Sequence, residues 1–216
     1  MSYQSNKIST PKLKPMKLKY LLFSALMLLS AGTAWADVII NATNFPDANF
    51  RNYLLSQDYG SDRKLTEAEI TGVTRINVSY KSIQSLKGIE YFTALTELRC
   101  YRNQLTSLDV SKNTALTSLY CYGNQLTSLD VSGCTSLTTL DCYSNSLTSL
   151  DVSKNTALTW LYCNDNKLTS LDVSGCTALI RLECFGNPLT SLDVSKNTSL
   201  TKLNCDPCVT VIGWPK

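Results

Sequence analysis

Aromatic residues recur in this chain every 21 positions, beside charged residues at the same spacing. Tyr101, Tyr122, Tyr143 and Phe185 form one row, interrupted by Asn164. Arg99, Tyr120, Asp141, Tyr162 and Glu183 form a second, and Trp160 and Arg181 belong to a third. Rigid amphipathic rings flanked by charge dominate recognition hot spots. Packing between neighbouring strands selects the same residue types, so ligand contact and sheet stabilisation compete as explanations. Contact is the reading adopted, for Tyr101, Tyr120, Tyr122, Tyr143, Trp160, Tyr162 and Phe185. Catalysis has little to work with. The chain has no histidine, which removes the usual general base, the Ser-His and Cys-His pairs and most catalytic zinc sites. A non-enzyme is expected, with no cofactor.

Two other sets of residues suggest chemistry and lose it on inspection. Six of the nine cysteines stand one period apart, at Cys100, Cys121, Cys142, Cys163, Cys184 and Cys205. In-register strands place such residues about 4.8 Å apart, within disulfide range, but parallel Cβ bonds oppose the required S–S torsion. A ladder of small, buried, inert thiols is expected. Cys205-Asp206-Pro207-Cys208 has redox spacing but no βαβ context. The twelve residues Asp58–Glu69 lie between helical stretches as a calcium loop would, with Asp58, Asp62 and Glu69 at ligand positions 1, 5 and 12. Gly60 and Arg63 stand where a ligand and a turn glycine are needed, so a metal-free helix-loop-helix relic is the preferred reading.

The element that must position the rows is the repeat itself. From Leu95 the chain reads L-T-x-L-x-C-x-x-N-x-L-T-S-L-D-V-S-x-x-T-x, restarting at Leu116, Leu137, Leu158, Leu179 and Leu200. This period and apolar pattern predict a leucine-rich-repeat solenoid, mostly β and turns. No coil buries its own apolar face, so stacked coils share one core. Residues 73–94 read as a degenerate first repeat of 22 residues, giving a repeat domain over 73–216 of about seven repeats, the last degenerate. Asn103, Asn124, Asn145, Asn166 and Asn187 form a ladder able to satisfy backbone groups at the strand exits. The turn after V-S alternates between Lys-Asn and Gly-Cys, a 42-residue super-period that reads as duplication.

Residues 37–72 predict a helical cap over the open end of the solenoid. A short helix is expected near 46–56, with Pro46 in its first turn and Asp47 at its positive end. Thr66-Glu67-Ala68-Glu69 has capping-box spacing for a second. Upstream, five lysines precede an apolar run over Leu21–Leu29 and the small-residue end Ala34-Trp35-Ala36. Residues 1–36 therefore read as a cleaved signal peptide, and the apolar run falls short of a membrane span. All 17 acidic but only 15 of the 20 basic residues lie beyond Ala36, leaving a net charge of −2. No basic footprint for nucleic acid remains.

The Cys-containing repeat resembles those of internalin J-type bacterial surface and secreted proteins over residues 73–216. That resemblance implies a curved solenoid with a parallel sheet inside, and adhesion or ligand binding at the cell exterior. The expectation is an exported monomer, extracellular or at the cell surface (with the periplasm as a further location), that binds a protein or glycan through a concave aromatic face and has no integral membrane segment. The competing expectation is a structural component of the cell envelope whose aromatic stripe is buried in assembly.

Overall fold

The computed structural model describes residues 36–214; the leader read over residues 1–36 lies, apart from Ala36, outside them. Strand β1 (Val38–Ile39), helix α1 (Ala48–Leu55), strand β2 (Lys64–Leu65) and helix α2 (Glu67–Gly72) come first. Strands of three residues each follow: β3 (Arg75–Asn77), β4 (Glu97–Arg99), β5 (Ser118–Tyr120), β6 (Thr139–Asp141), β7 (Trp160–Tyr162), β8 (Arg181–Glu183), β9 (Ser191–Asp193), β10 (Lys202–Asn204) and β11 (Thr210–Ile212). No helix among the described residues is long and apolar enough to cross a membrane.

Seven strands form one parallel sheet in the order β3-β4-β5-β6-β7-β8-β10. Its register steps by one repeat: Leu98 faces Leu119, then Leu140, Leu161, Leu182 and Leu203. Ile76 faces Leu98, so the extra residue of the first repeat is absorbed outside the strand. The central leucine of each interior strand is buried while its two neighbours turn to the other face. That alternation fixes the outward rows, because strand side chains have a period of two. Leu105, Leu108 and Val110, with their equivalents in each coil, close the core from the other side.

Three kinds of ladder tie coil to coil. The Asn124 amide donates to the carbonyls of Cys100 and Cys121, and its oxygen accepts from the Leu105 amide. Asn145, Asn166 and Asn187 repeat this pattern, as expected for backbone groups that would otherwise be orphaned at a corner. The backbone takes a left-handed turn just before the ladder residue, at Arg102, Gly123, Ser144, Asp165 and Gly186. Thr117, Thr138 and Thr159 each donate a hydroxyl bond to a carbonyl one coil back.

The third ladder runs through the alternating turn. Asn113, Cys134, Asn155, Cys176 and Asn197 are all buried. The Asn155 amide donates to Val131 and Cys134 carbonyls, and the Cys134 thiol lies against the equivalent carbonyls of Val110 and Asn113. Asparagine and cysteine thus do the same job on alternate coils.

All nine cysteines stand as free thiols, seven of them buried. Burial pushes the Cys100 thiol up to about 12 and those of Cys134 and Cys176 up to about 11, which withholds the reactive thiolate. Cys208 is exposed and Cys205 half-buried. Alkylation of native protein is therefore expected to modify Cys208 first and Cys205 more slowly, with the other seven reacting only after unfolding. Peptide mass spectrometry showing native labelling at Cys121 or Cys142 would contradict the ladder.

The N-terminal segment packs on the first coil through Phe45, Phe50, Leu54 and Leu65, all fully buried. Phe45 meets Phe50 edge-on at 5.8 Å, and Tyr59 meets Phe92 at 6.3 Å. Asp47 is the N-cap of α1, accepting from the Phe50 amide, while its second oxygen accepts from the amides of Gln84 and Ser85. One carboxylate thereby starts the helix and ties it to the repeats. Pro46 precedes the cap residue and lies outside the helix, not in its first turn. At the far end β11 pairs with β9 in a separate two-stranded parallel sheet.

Candidate functional site

The twelve-residue loop is accounted for by local structure. Asp58 opens a 3₁₀ turn, and the Asp62 carboxylate accepts from the Lys64 amide. Glu69 accepts from both the amide and the hydroxyl of Thr66, completing the capping box of α2. Arg63 adopts a left-handed φ of 69° at the place a glycine was sought. Among the described residues, no group of three or more Asp, Glu, Cys or His is placed to hold a metal ion.

The outward face of the seven-stranded sheet brings the aromatic rows together, and it treats them differently. Tyr101, Tyr122 and Tyr143 stack face to face, with centroids 4.4 and 4.5 Å apart and planes within 6° and 12° of parallel. Their faces satisfy one another, so this row stabilises the sheet as well as lining the face. Burial beside its neighbours pushes the Tyr122 hydroxyl up to about 12. Phe185, half-buried, stands beyond the buried Asn164 and outside the stack. Trp160 is the most exposed of the seven, at 46%.

Tyr80 extends the stack and was missed. Its ring meets Tyr101 edge-on at 5.4 Å and remains 67% exposed, under the Arg102 guanidinium. It occupies a left-handed corner of the first coil, one place beyond the row. Counting back 21 residues from Tyr101 lands on Tyr80, whereas the 22-residue register of that coil sets Ser79 level with Tyr101 and Tyr80 level with Arg102.

The second row is arranged about its centre. Across the sheet the order is Arg99, Tyr120, Asp141, Tyr162, Glu183, with Arg181 beside Glu183 on β8 but in register with Trp160. The Arg99 guanidinium lies over the Tyr120 ring at 5.2 Å, and that of Arg181 lies over the Tyr162 ring at 5.4 Å. Glu97 holds Arg99, and Glu183 holds Arg181, each by an ion pair. Asp141, between the tyrosines, has no such partner. Its Oδ1 is buried without a hydrogen bond. Burial pushes this carboxyl up to about 7, with the nearby Tyr143 amide opposing the shift and Glu183 adding to it. In the sequence Asp141 is one charge in a row; in the fold it stands in register between Tyr120 and Tyr162.

The comparisons agree with this architecture. A leucine-rich-repeat model of two copies matches residues 114–155. Internalin J of Listeria monocytogenes is 43% identical over 70 residues, which is 32% of this chain and 8% of that protein. The solved functional domain of InlJ from Listeria monocytogenes, described as including a cysteine ladder, superposes with a TM-score of 0.65 at 36% identity. That match covers 82% of this chain and 44% of that one. Internalin C2 from the same species gives a TM-score of 0.73 at 24% identity, covering 81% of this chain and 80% of its own, and speaks to the fold alone. The chain thus spans less than half of the InlJ domain and a small part of internalin J. Period, register and buried thiols coincide with that likeness: the chain is a leucine-rich-repeat solenoid whose repeats are similar to those of internalin J.

Proposed function

We propose that this is an exported, monomeric, non-enzymatic binding protein that recognises a protein ligand through the outward aromatic face of its main sheet. That face is the concave one in solenoids of this kind, and adhesion or another surface interaction is the use it fits. Export rests on the leader read over residues 1–36, and the division into leader, cap and repeats follows the same reading. The carrying observation is the cluster of Tyr120, Trp160 and Tyr162, half-buried or exposed and flanked by Arg99 and Arg181. These rings are not consumed by mutual stacking, unlike Tyr101, Tyr122 and Tyr143. A protein suits the mixed aromatic and charged surface better than a glycan, because ion-paired arginines and a central carboxylate offer charge complementarity.

The test replaces Tyr120, Trp160 and Tyr162 together by serine and sparing the stack. Wild-type and variant protein are compared in capture from host and bacterial extracts and on a glycan array. Capture of a defined protein is expected to fall at least about tenfold while the fold is kept, since hot-spot rings carry most of the binding energy. Undiminished capture sinks the reading. A stable oligomer by light scattering, with Trp160 fluorescence quenched on assembly, would favour an envelope subunit instead.

A further inference from the structure

Adjacent rings on this face stand 4.4 and 4.5 Å apart where a row is unbroken. The row through Tyr120 is broken by Asp141, so Tyr120 and Tyr162 are separated by two strand spacings, about 9–10 Å. A flat group held between two rings at van der Waals contact needs about 7–8 Å. The gap left by the missing ring therefore admits one planar group with some room to spare, each ring centroid staying within the roughly 6 Å of a cation–π contact, and its floor is a carboxyl. The far side of each ring is already taken, by Arg99 and by Arg181. The face thus displays twice, with Arg99 from the row and Arg181 from the row beside it, the contact that the open sides of the same rings could make.

We propose that the space over Asp141, between Tyr120 and Tyr162, is a recognition slot for the guanidinium of an arginine side chain on a protein partner. The inference rests on the reading of this face as the ligand surface and names the chemistry read at its centre. Three observations converge. The carboxyl is left without an ion pair in a row whose other acid, Glu183, has one. The two rings offer faces that attract a cation, most strongly a planar one that can stack. Glu97 and Glu183 neutralise Arg99 and Arg181, so the outer arginines do not repel an incoming positive charge as bare cations would. A guanidinium entering edge-on would bring positive charge to the carboxyl of Asp141 and complete the run of stacked groups across the sheet. Ammonium is a compact point charge and would leave the ring faces unfilled.

The experiment uses the whole chain labelled with nitrogen-15, with N-acetyl-arginine amide as the probe and the amide resonance of Tyr143, beside the carboxyl, as reporter. Saturable shifts at Tyr143 and in strands β5–β7 are expected with the arginine amide. The lysine amide should bind several-fold more weakly, and the neutral isostere N-acetyl-citrulline amide should give no saturable shift. Asp141→Asn should weaken arginine binding by at least about tenfold while the rest of the spectrum is unchanged. Tyr120→Leu and Tyr162→Leu should each weaken it less. Equal response to citrulline, equal or tighter lysine binding, or full arginine binding by the Asp141→Asn protein would each overturn the slot. Failure of the slot is separable from failure of the surface. A protein partner lost by the triple serine variant but held normally by Asp141→Asn leaves the surface reading intact and removes only the slot.

Discussion

Asn124→Ala is expected to cost about 3 kcal/mol or more of stability and to lower the melting temperature by roughly 6–12 °C. The size follows from what one amide does. It donates to a carbonyl on its own coil and to one on the coil before, and accepts from a third backbone group. Alanine leaves the Leu105 amide buried without a partner, at about 1–3 kcal/mol, and removes one of two ladder donors from each carbonyl, at about 0.5–1.5 kcal/mol apiece, since Asn103 also donates to Cys100 and Asn145 to Cys121. Because each coil touches only its neighbours, the damage falls on the middle of the stack, where either half loses its support. Chemical denaturation should also become less cooperative. A loss below about 1 kcal/mol would mean that the ladder is incidental to the fold.

Asp141→Asn should do the opposite, and only at neutral to alkaline pH. A carboxyl normally titrates near 3.9, whereas burial pushes that of Asp141 up to about 7. Between those values the folded chain keeps a proton that the unfolded chain releases. Stability from this group is thus fully present below about pH 4, falls as pH rises toward 7, and is lost above. Asparagine cannot ionise, so the variant and the wild type should melt together near pH 4. They should separate in favour of the variant by about 1–3 kcal/mol at pH 8, a figure reduced for the partial access of solvent. The aspartates of the L-D-V-S turns, such as Asp130 and Asp151, are held below the usual range by bonds from the Ser132 and Ser153 side chains and amides. Their contribution is lost as pH falls, so the difference between the two proteins is the quantity to measure. A carboxyl titrating near 4 by NMR would refute the account. A chain that keeps an ionisable group where a neutral one is more stable is giving up stability at a site with a use for charge.

The repeats were legible because their apolar letters recur in register, and a strand period of two then dictates which letters face out. The capping box at Thr66 and Glu69 was legible because it is made by four consecutive residues. What escaped depends on neighbours in space. Tyr80 lies 21 residues before Tyr101 but, in the register of a 22-residue coil, takes the corner place of Arg102, from which its ring still meets Tyr101. Asn113 and Asn155 look like ordinary turn residues, and their burial follows from the coil before them. Of the seven aromatic residues picked from the rows, the structure stacks three on one another. It sets Tyr120 and Tyr162 about Asp141, leaves Trp160 outermost and places Phe185 apart. The role of Asp141 was invisible for the same reason: an acid between tyrosines acquires its meaning from rings two coils apart.

The alternation of Asn113, Cys134, Asn155, Cys176 and Asn197 bears on how such a gene can change length. A recombination that adds or removes 42 residues keeps every buried cysteine between two asparagines, whereas a step of 21 sets two like residues on adjoining coils. Copy number then works as a ruler with a fixed graduation. Each permitted step moves the N-terminal cap relative to whatever lies downstream by two strand spacings, about 10 Å. Coils inserted before β4 or after β8 would change the reach of the protein while leaving the group between Tyr120 and Tyr162 untouched.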